Sequence, residues 1–444
     1  MRVKPFDPKA CLLAAGAALT LFAGCNGAPR AVPATNLRQS AFSHAPYAPT
    51  LSAILPRYDA AALIGLGGVA FSNGLNNDGW VTGTSYFAGN VVEHAVLWRN
   101  GKLTDLGTLG GQDSGVDWNG IADTGEIAGV SELARKDPYQ EGFCGKGPLK
   151  TNFSPRICIG FHWSEGVMSA LRTLGGNNAI AADVNDRGQI VGTAETAVHR
   201  KPCGSPQVLE YRAVRWEPDG TMRALRPFAG DDVSQAVSIN NRGESTGASG
   251  PCGPPHNPGY GTAHAILWQR DGTPKDLGNL GGTTANAGLV VNDNGDVAGI
   301  SALAGNSTVH AFLWRNGVMH DLGTLPGDVI SAATGLNDDD QVTGQSCSAG
   351  GACRAVLWES GTIFNLNHLV KNAPFVMWYA SYINESGAIS GITAYTQKSG
   401  RTPAFLATPD DTAFMLQEGL SPNLAPPARP QTLPRQFVTR YPLQ

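Results

Sequence analysis

One stretch recurs seven times along this 444-residue chain, and the repetition constrains the fold more than any other feature. Its fullest copy covers residues 310–346 and reads HAFLWRNGVMHDLGTLPGDVISAATGLNDDDQVTGQS. The copy consists of short apolar segments separated by turns, and the Asn-Gly pair in its first turn reaches positive φ at little cost. Such units fold as a repeat array in which neighbours cover each other's apolar faces.

Three sequence elements mark each copy. Strands similar to HAFLW begin at residues 94, 159, 212, 264, 310, 354 and 403. Segments similar to LGTLGG, which we predict to be fourth strands, cover 63–68, 105–111, 171–176, 225–230, 276–282, 321–327 and 365–370. Turns similar to N-D-x-G cover 76–79, 122–125, 185–188, 240–243, 292–295, 337–340 and 384–387, and each is followed four residues later by Gly.

The order of these elements predicts a closed ring. Four short strands in ~40–50 residues are typical of one propeller blade. The series starts with a fourth strand and ends with a third strand, so neither end forms a complete blade alone. Pairing residues 61–68 with 403–407 would complete the seventh blade and protect the open sheet edges. The predicted fold is therefore all-β, a seven-bladed β-propeller with four short strands per blade.

The chain resembles the HAF-repeat family of bacterial extracellular proteins over about residues 61–409, and the HAFLW strands carry most of the resemblance. The resemblance implies an exported, β-rich repeat protein, and it assigns no chemistry to any residue. Composition agrees with a chain of many tight turns, because its 56 glycines are nearly double the ordinary share of ~7%.

The N-terminal segment is typical of a secretory signal. Basic residues precede an apolar run at 10–23, which is too short to span a bilayer. The run ends in FAGC, which resembles the bacterial lipobox and predicts a lipid on Cys25, although Phe22 departs from the pattern. Ordinary cleavage nearby is the alternative. By the same resemblance, Asn26 after the cysteine favours an outer-membrane lipoprotein, and a periplasmic or extracellular protein is the other possibility.

These features divide the chain into a signal peptide at 1–24, a flexible tether at 25–57, the repeat domain at 58–409 and a Pro-rich flexible tail at 410–444. We expect a monomer held at the membrane by its lipid alone. The net charge of −4 becomes more negative once the signal is removed, which argues against a nucleic-acid partner.

Six further cysteines lie in loops between second and third strands. They are Cys144, Cys158, Cys203, Cys252, Cys347 and Cys353. An even number in an exported protein indicates disulfides, and six cysteines allow 15 pairings. Proximity favours Cys347–Cys353 and Cys144–Cys158, which leaves Cys203 and Cys252 to pair across adjacent blades. The spacing lacks the CxxC of zinc sites and the turns lack the distal Glu of calcium loops, so we predict no metal and no cofactor.

Repetition also explains the side chains that could suggest chemistry. The chain contains no hydrolase, zinc-protease, P-loop or dinucleotide motif. A histidine begins the HAFLW strand in three blades, at His94, His264 and His310, and recurrence at one blade position indicates a structural role. We predict that the tryptophans ending these strands are buried between sheets; they are Trp98, Trp163, Trp216, Trp268, Trp314 and Trp358.

Three consecutive blades carry long loops between strands two and three, at 132–158, 194–211 and 250–263. Irregular loops on a rigid scaffold commonly carry function. The candidate binding residues in them are Lys136, Tyr139, Phe143, Lys146, Phe153, Arg156, Lys201 and Tyr260. The sequence favours a module that binds an unidentified protein or glycan. Two alternatives stay open: a structural envelope lipoprotein with neutral loop insertions, and an enzyme with its site at the mouth of the central channel.

Overall fold

The computed structural model of the protein describes residues 57–141, 143, 154–199, 207–251, 263–371, 373–394 and 401–410. These residues form seven four-stranded antiparallel sheets that surround one axis, which confirms the predicted seven-bladed propeller. Within the same ranges the only helix is α1 (Leu366–Leu369), and no helix there has the length and apolar character needed to cross a membrane. The segments predicted to be a signal, a tether and a tail lie outside the described residues, apart from Arg57 and Asp410.

The first and last strands in the chain belong to the same blade, and the strands between them form the other six. The first strand is β1 (Tyr58–Leu63). Blade 1 contains β2 (Gly67–Leu75), β3 (Val81–Phe87), β4 (Glu93–Arg99) and β5 (Lys102–Asp105). Blade 2 contains β6 (Ser114–Gly115), β7 (Ile127–Lys136), β8 (Arg156–Ser164) and β9 (Val167–Ala170). Blade 3 contains β10 (Gly175–Val184), β11 (Ile190–His199), β12 (Leu209–Trp216) and β13 (Met222–Leu225).

The remaining blades repeat this order. Blade 4 contains β14 (Val233–Ile239), β15 (Ser245–Gly250), β16 (His264–Trp268) and β17 (Pro274–Asp276). Blade 5 contains β18 (Ala287–Val291), β19 (Val297–Ala302), β20 (Val309–Arg315) and β21 (Val318–Asp321). Blade 6 contains β22 (Asp328–Leu336), β23 (Val342–Ser348), β24 (Cys353–Glu359) and β25 (Thr362–Asn365). Blade 7 contains β26 (Met377–Ile383), β27 (Ile389–Thr393) and β28 (Ala404–Pro409), with β1 as its outermost strand.

Blade 7 closes the ring as the repeat order predicted. Strands β1 and β28 are antiparallel, and their register runs from Tyr58 opposite Pro409 to Leu63 opposite Ala404. The predicted span of 61–68 was wrong in its bounds, because Gly67 already begins the innermost strand of blade 1.

The LGTLGG segments are not fourth strands, and this part of the sequence prediction was wrong. In blade 1 the fourth strand ends at Asp105, and the leucines after it lie in the link to blade 2. Leu106 is buried, and its N–H donates to the carbonyl of Ala95 at 2.9 Å. Gly107 and Gly110 have positive φ angles of 78° and 99°, which lets the chain turn between sheets.

In six of the seven blades, the glycine that follows the N-D-x-G turn lies opposite a bulge in the neighbouring strand. In blade 5 the register shifts between Gly288 and Val290, directly opposite Gly299. A Cβ placed on Gly299 would lie less than 3.0 Å from the carbonyl oxygen of Ala287. The equivalent approach occurs in every blade, at Gly83, Gly129, Gly192, Gly247, Gly299, Gly344 and Gly391.

The recurring tryptophans fill the space between sheets, as predicted. Five of the six are buried, and Trp163 is half-buried. Trp98 of blade 1 packs against Ala388 and Ala404 of blade 7. Its indole N–H donates to the carbonyl of Ile64 at 2.9 Å. Ile64 lies in the link between β1 and β2, so Trp98 attaches this link to blade 1.

The recurring histidines have a structural role. The Nδ1 atom of His94 lies 2.8 Å from a carboxylate oxygen of Asp105, which joins the start of the third strand to the end of the fourth. His310 and Asp321 repeat the pair at 2.9 Å. His264 instead contacts Asp231, in the link that precedes its blade.

Cys347 and Cys353 form the predicted disulfide, which joins β23 to β24 with a Cα–Cα distance of 4.0 Å. Cys158 is also disulfide-bonded. Cys144, Cys203 and Cys252 lie outside the described residues, so the other two pairings stay predictions.

Candidate functional site

The strand order gives the ring two different faces. Loops between strands two and three open on the same side as the links between blades, and we call this side the loop face. Turns between strands one and two, and between strands three and four, open on the other side, which we call the turn face. Every long loop predicted from the sequence therefore belongs to the loop face.

On the turn face the N-D-x-G turns hold the blades together in a closed circle of hydrogen bonds, the turn clasp. The backbone N–H of Asn77 donates to Asp123 at 2.8 Å, and the N–H of Asp123 donates to Asp186 at 2.7 Å. The circle ends where the N–H of Glu385 donates to the side-chain oxygen of Asn77 at 2.9 Å. The acceptors, in order, are Asp123, Asp186, Asn241, Asp293, Asp338, Glu385 and Asn77.

Several carboxylates of the turn clasp have raised pKa values. Burial, together with the charges of Asp338 and its neighbours, raises the pKa of Glu385 to about 7. Burial is also the main cause of the raised pKa of Asp186 and of Asp338. Clustered carboxylates with raised pKa values are a mark of active sites but also of structural networks. Here each one accepts a backbone N–H from the neighbouring turn, so the clasp is structural.

The central channel is nearly filled where the innermost strands meet. Its lining includes Asp117, Tyr379, Ser381 and Tyr382, and its free volume is about 20 Å³. That is room for about one water molecule. Burial raises the pKa of Asp117 to about 6. The waist of the channel therefore has no space for a substrate, and a catalytic site along this axis would have to lie at one of its mouths.

On the loop face a buried polar network joins the long loops of blades 2 and 3. The Nε2 atom of Gln207 donates to Glu195 at 2.9 Å and to Glu141 at 3.3 Å. The Nδ2 atom of Asn178 donates to Asp137 at 3.1 Å and to Glu195 at 3.0 Å. All five residues are buried, so each loop is attached to the rigid sheet by interior hydrogen bonds.

Burial favours the protonated form of one glutamate in this network. Burial first, and then the charge of Glu141, raise the pKa of Glu195 to about 8, so Glu195 is protonated at neutral pH and hydrogen-bonds to Glu141. Glu141 also accepts the N–H groups of Val208 and Leu209 at 2.8 and 2.6 Å. Amide groups lie between the carboxylates, and in the part of the chain that the structure describes no three acidic, His or Cys side chains are placed to hold a metal ion.

Above the network, the two loops meet in an exposed aromatic surface. Tyr139 is 41% exposed, and its hydroxyl lies 3.1 Å from the Nε2 atom of His199. The two rings meet edge to face at 5.1 Å. Val198, which is 53% exposed, and Lys136 are exposed at the ends of β11 and β7, where these two loops begin. We call these four residues, together with the network that supports them, the loop crescent.

The structure separates the predicted binding residues into different roles. Lys136 and Tyr139 are exposed on the loop crescent. Arg156 donates from Nη1 to the carbonyl of Ala134 at 2.6 Å and so holds the base of its loop. Phe143 is only 7% exposed and packs against Tyr211 and Val233, so it anchors the loop and is not available as a contact residue. Lys146, Phe153, Lys201 and Tyr260 lie outside the described residues.

Sequence reasoning did not identify Glu141, Glu195, Gln207 or His199. The sequence contains no signal for the burial of the first three, because polar residues in loops are ordinarily solvated. The His199 position is not repeated in other blades, and this was the one signal that could have separated it from the structural histidines.

No protein-family model matches the chain, and no curated protein matches it. Among solved structures, a gluconolactonase from Xanthomonas campestris is 12% identical, with 81% of this chain and 94% of that chain covered and a TM-score of 0.36. The acylaminoacyl peptidase of Pyrococcus horikoshii is 10% identical, with 79% and 54% covered and a TM-score of 0.44. An ulvan lyase is 12% identical, with 79% and 96% covered and a TM-score of 0.38. At these values the likenesses carry no information about activity.

Proposed function

We propose that this propeller is a binding module that recognises a protein or a glycan with its loop crescent. The observation that carries the proposal is the buried network of Glu141, Glu195 and Gln207, which fastens two long loops beneath an exposed Tyr139–His199 pair. A surface that is already ordered loses less entropy on binding. Tyrosine is also among the residues enriched at interface hot spots.

No specific observation favours catalysis over binding. Within the described ranges, the clustered carboxylates with raised pKa values on the turn face are engaged in the turn clasp. The waist of the channel holds about 20 Å³, too little for a substrate. The ordered, exposed Tyr139–His199 pair supports binding over a purely structural role.

Replacing Tyr139 tests the binding proposal. We expect Tyr139→Ala to weaken binding at least tenfold, which corresponds to ~1.4 kcal/mol, because the aromatic contact and its hydrogen bond to His199 are both removed. The measurement is a screen of the wild-type protein against an array of defined glycans and against purified envelope proteins. The affinity of each hit is then determined for the variant.

Val318→Ala is the matched control, since Val318 is a comparably exposed side chain on the turn face. It should leave every affinity unchanged, and circular dichroism should show that both variants are folded. If a folded Tyr139→Ala protein binds as tightly as the wild type, the loop crescent does not carry recognition. A complete screen without any hit would count against the binding function itself.

We further propose that the protein is exported and held at the membrane by a lipid on Cys25. The proposal is supported by FAGC after an apolar run, by the resemblance to the HAF-repeat family and by the Cys347–Cys353 disulfide, which suits an oxidising compartment. An outer-membrane address is part of the same proposal, and it rests on Asn26.

Cys25→Ser should move the protein from the membrane fraction to the soluble fraction, because it removes the thiol that would carry the lipid. The matched control is Cys11→Ser, a change within the apolar run that should leave the protein in the membrane. Cell fractionation and mass spectrometry of the N-terminal peptide provide the readouts. A variant that stays with the membrane, or a wild-type peptide without a diacylglyceryl group, would reject lipidation.

A further inference from the structure

An open groove on the turn face, between blades 3 and 4, carries a concentration of arginines. Its volume is about 620 Å³ and its lining includes Arg187, Arg242 and Arg270. The three belong to different turns: Arg187 to the first turn of blade 3, Arg242 to the first turn of blade 4, and Arg270 to the second turn of blade 4. We call it the arginine groove.

Two of these arginines lie beside the same glycine, Gly243. A Cβ placed on Gly243 would lie 2.7 Å from the Nη2 atom of Arg187 and 3.6 Å from the Cγ atom of Arg270. The two side chains therefore lie beside the same turn, Arg187 from blade 3 and Arg270 from blade 4. Gly243 leaves the floor between them without a side chain.

The floor of the groove is held by a third, buried arginine. The Nη1 atom of Arg215 donates to the carbonyls of Gly243 and Arg270 at 3.1 and 3.0 Å. The charge of Arg215 is matched by Glu217, whose carboxylate lies 2.7 Å from its Nε atom. The two turns are thus fixed relative to each other, and Glu217 is already paired with Arg215.

The arginines at the surface are unequally paired. Arg242 has an ion pair with Glu244 at 2.6 Å. Arg187 donates only to the neutral amide of Gln189, at 2.9 Å, and no ion pair or hydrogen bond of the Arg270 guanidinium is found among the described residues. Asp271 is also in the groove, but its carboxylate accepts the N–H of Thr273 in its own turn. In the part of the chain that the structure describes, the guanidinium groups of Arg187 and Arg270 therefore form no ion pair with a carboxylate, although both arginines line the groove.

The turn clasp is modified at this place in a way that favours an anion. Its acceptor position is a carboxylate in five turns and an amide in two, Asn77 and Asn241, and Asn241 is the one beside the groove. The Nδ2 atom of Asn241 donates to Asp186 at 2.9 Å and to Asp293 at 3.2 Å. The clasp carboxylates on either side of Asn241 therefore each accept a hydrogen bond from its amide.

We propose that the arginine groove binds a single oxyanion group, a sulfate or a phosphate, between Arg187 and Arg270. Planar guanidinium groups match the oxygens of such anions with two parallel hydrogen bonds. The ligand supplies the negative charge with which neither arginine forms an ion pair among the described residues. This site lies on the face opposite the loop crescent, so it is independent of the binding function proposed there.

Isothermal titration calorimetry of the intact propeller with sodium sulfate, sodium phosphate and a sulfated disaccharide tests the site. We expect saturable binding with one site per chain. Arg187→Gln and Arg270→Gln should each weaken it at least tenfold. Arg187→Lys should have an intermediate affinity, because it keeps the charge and loses the fork of donors. Tighter binding of the disaccharide than of either inorganic ion would indicate that the group is recognised on a glycan.

The matched control is Arg172→Gln. Arg172 is an exposed arginine in a link of the loop face, so the change in net charge is the same. This variant should bind as the wild type does. The proposal is overturned if the wild type shows no saturable binding to any of the three probes, if folded Arg187→Gln and Arg270→Gln proteins retain its affinity, or if Arg172→Gln loses affinity equally.

Discussion

A chain that begins at residue 64 should fail to form a stable ring, whereas a chain that begins at residue 57 should fold. The shorter chain lacks β1, whose six residues pair with β28 and whose Tyr58 is buried against the core of blade 7. Its loss exposes the edge of β28 and the apolar side of the blade. We expect a loss on the order of 5 kcal/mol or more, comparable with the whole stability of an ordinary domain.

Thermal unfolding followed by circular dichroism, together with size-exclusion chromatography, would measure this loss. Both chains should be secreted with the same foreign signal peptide so that disulfides form equally. A chain that ends at residue 410 serves as the control, because it is shortened at the other end and keeps the closing pair. If the chain from residue 64 were monomeric and unfolded at the same temperature as the control, closure by β1 would not be what stabilises the ring.

Gly344→Ala should be strongly destabilising although it adds only one methyl group. That methyl would lie less than 3.0 Å from both the carbonyl oxygen and the carbonyl carbon of Ala332, so β22 and β23 would have to separate at the bulge. Overpacking of this kind typically lowers the free energy of unfolding by ~1–3 kcal/mol. Because the backbone must move here, we expect a value at the upper end of that range. Urea unfolding of both proteins would measure the difference.

Gly350→Ala is the matched control in the same hairpin. A Cβ at this position would meet no atom closer than 3.9 Å, and its φ is not in the left-handed region. Its effect should stay within about 0.5 kcal/mol, as for most surface substitutions. Equal stabilities for the two variants would show that the bulge can move without cost and that the recurring glycine has another cause.

Much of the fold could be predicted because each blade repeats the same local requirements. The burial of Trp98 and its equivalents, the structural role of His94 and closure by a strand from the N-terminus all followed from position within the repeat. The LGTLGG segments were assigned wrongly because a short apolar run cannot be distinguished from a strand by its pattern alone. Six of the seven actual fourth strands, β5 among them, have only three or four residues.

The candidate sites were predicted less well. The long loops were recognised by their length. The network that orders them was not, because Glu141 and Gln207 are 66 residues apart in the chain. Phe143 was taken for a contact residue because an aromatic side chain in a loop has the same sequence signature whether it faces solvent or the core. The arginine groove was missed because its arginines come from three separate turns.

By itself, the sequence determined the number of blades, the strand order and the closure of the ring. These features impose the same steric and hydrogen-bonding demand seven times, and a repeated demand leaves a periodic trace that can be counted. Only the tertiary structure decided where the loop crescent and the arginine groove lie. Each is present once and depends on side chains that become neighbours when two blades pack together, as Arg187 and Arg270 do beside Gly243. A contact between distant parts of the chain that occurs once leaves no period to detect.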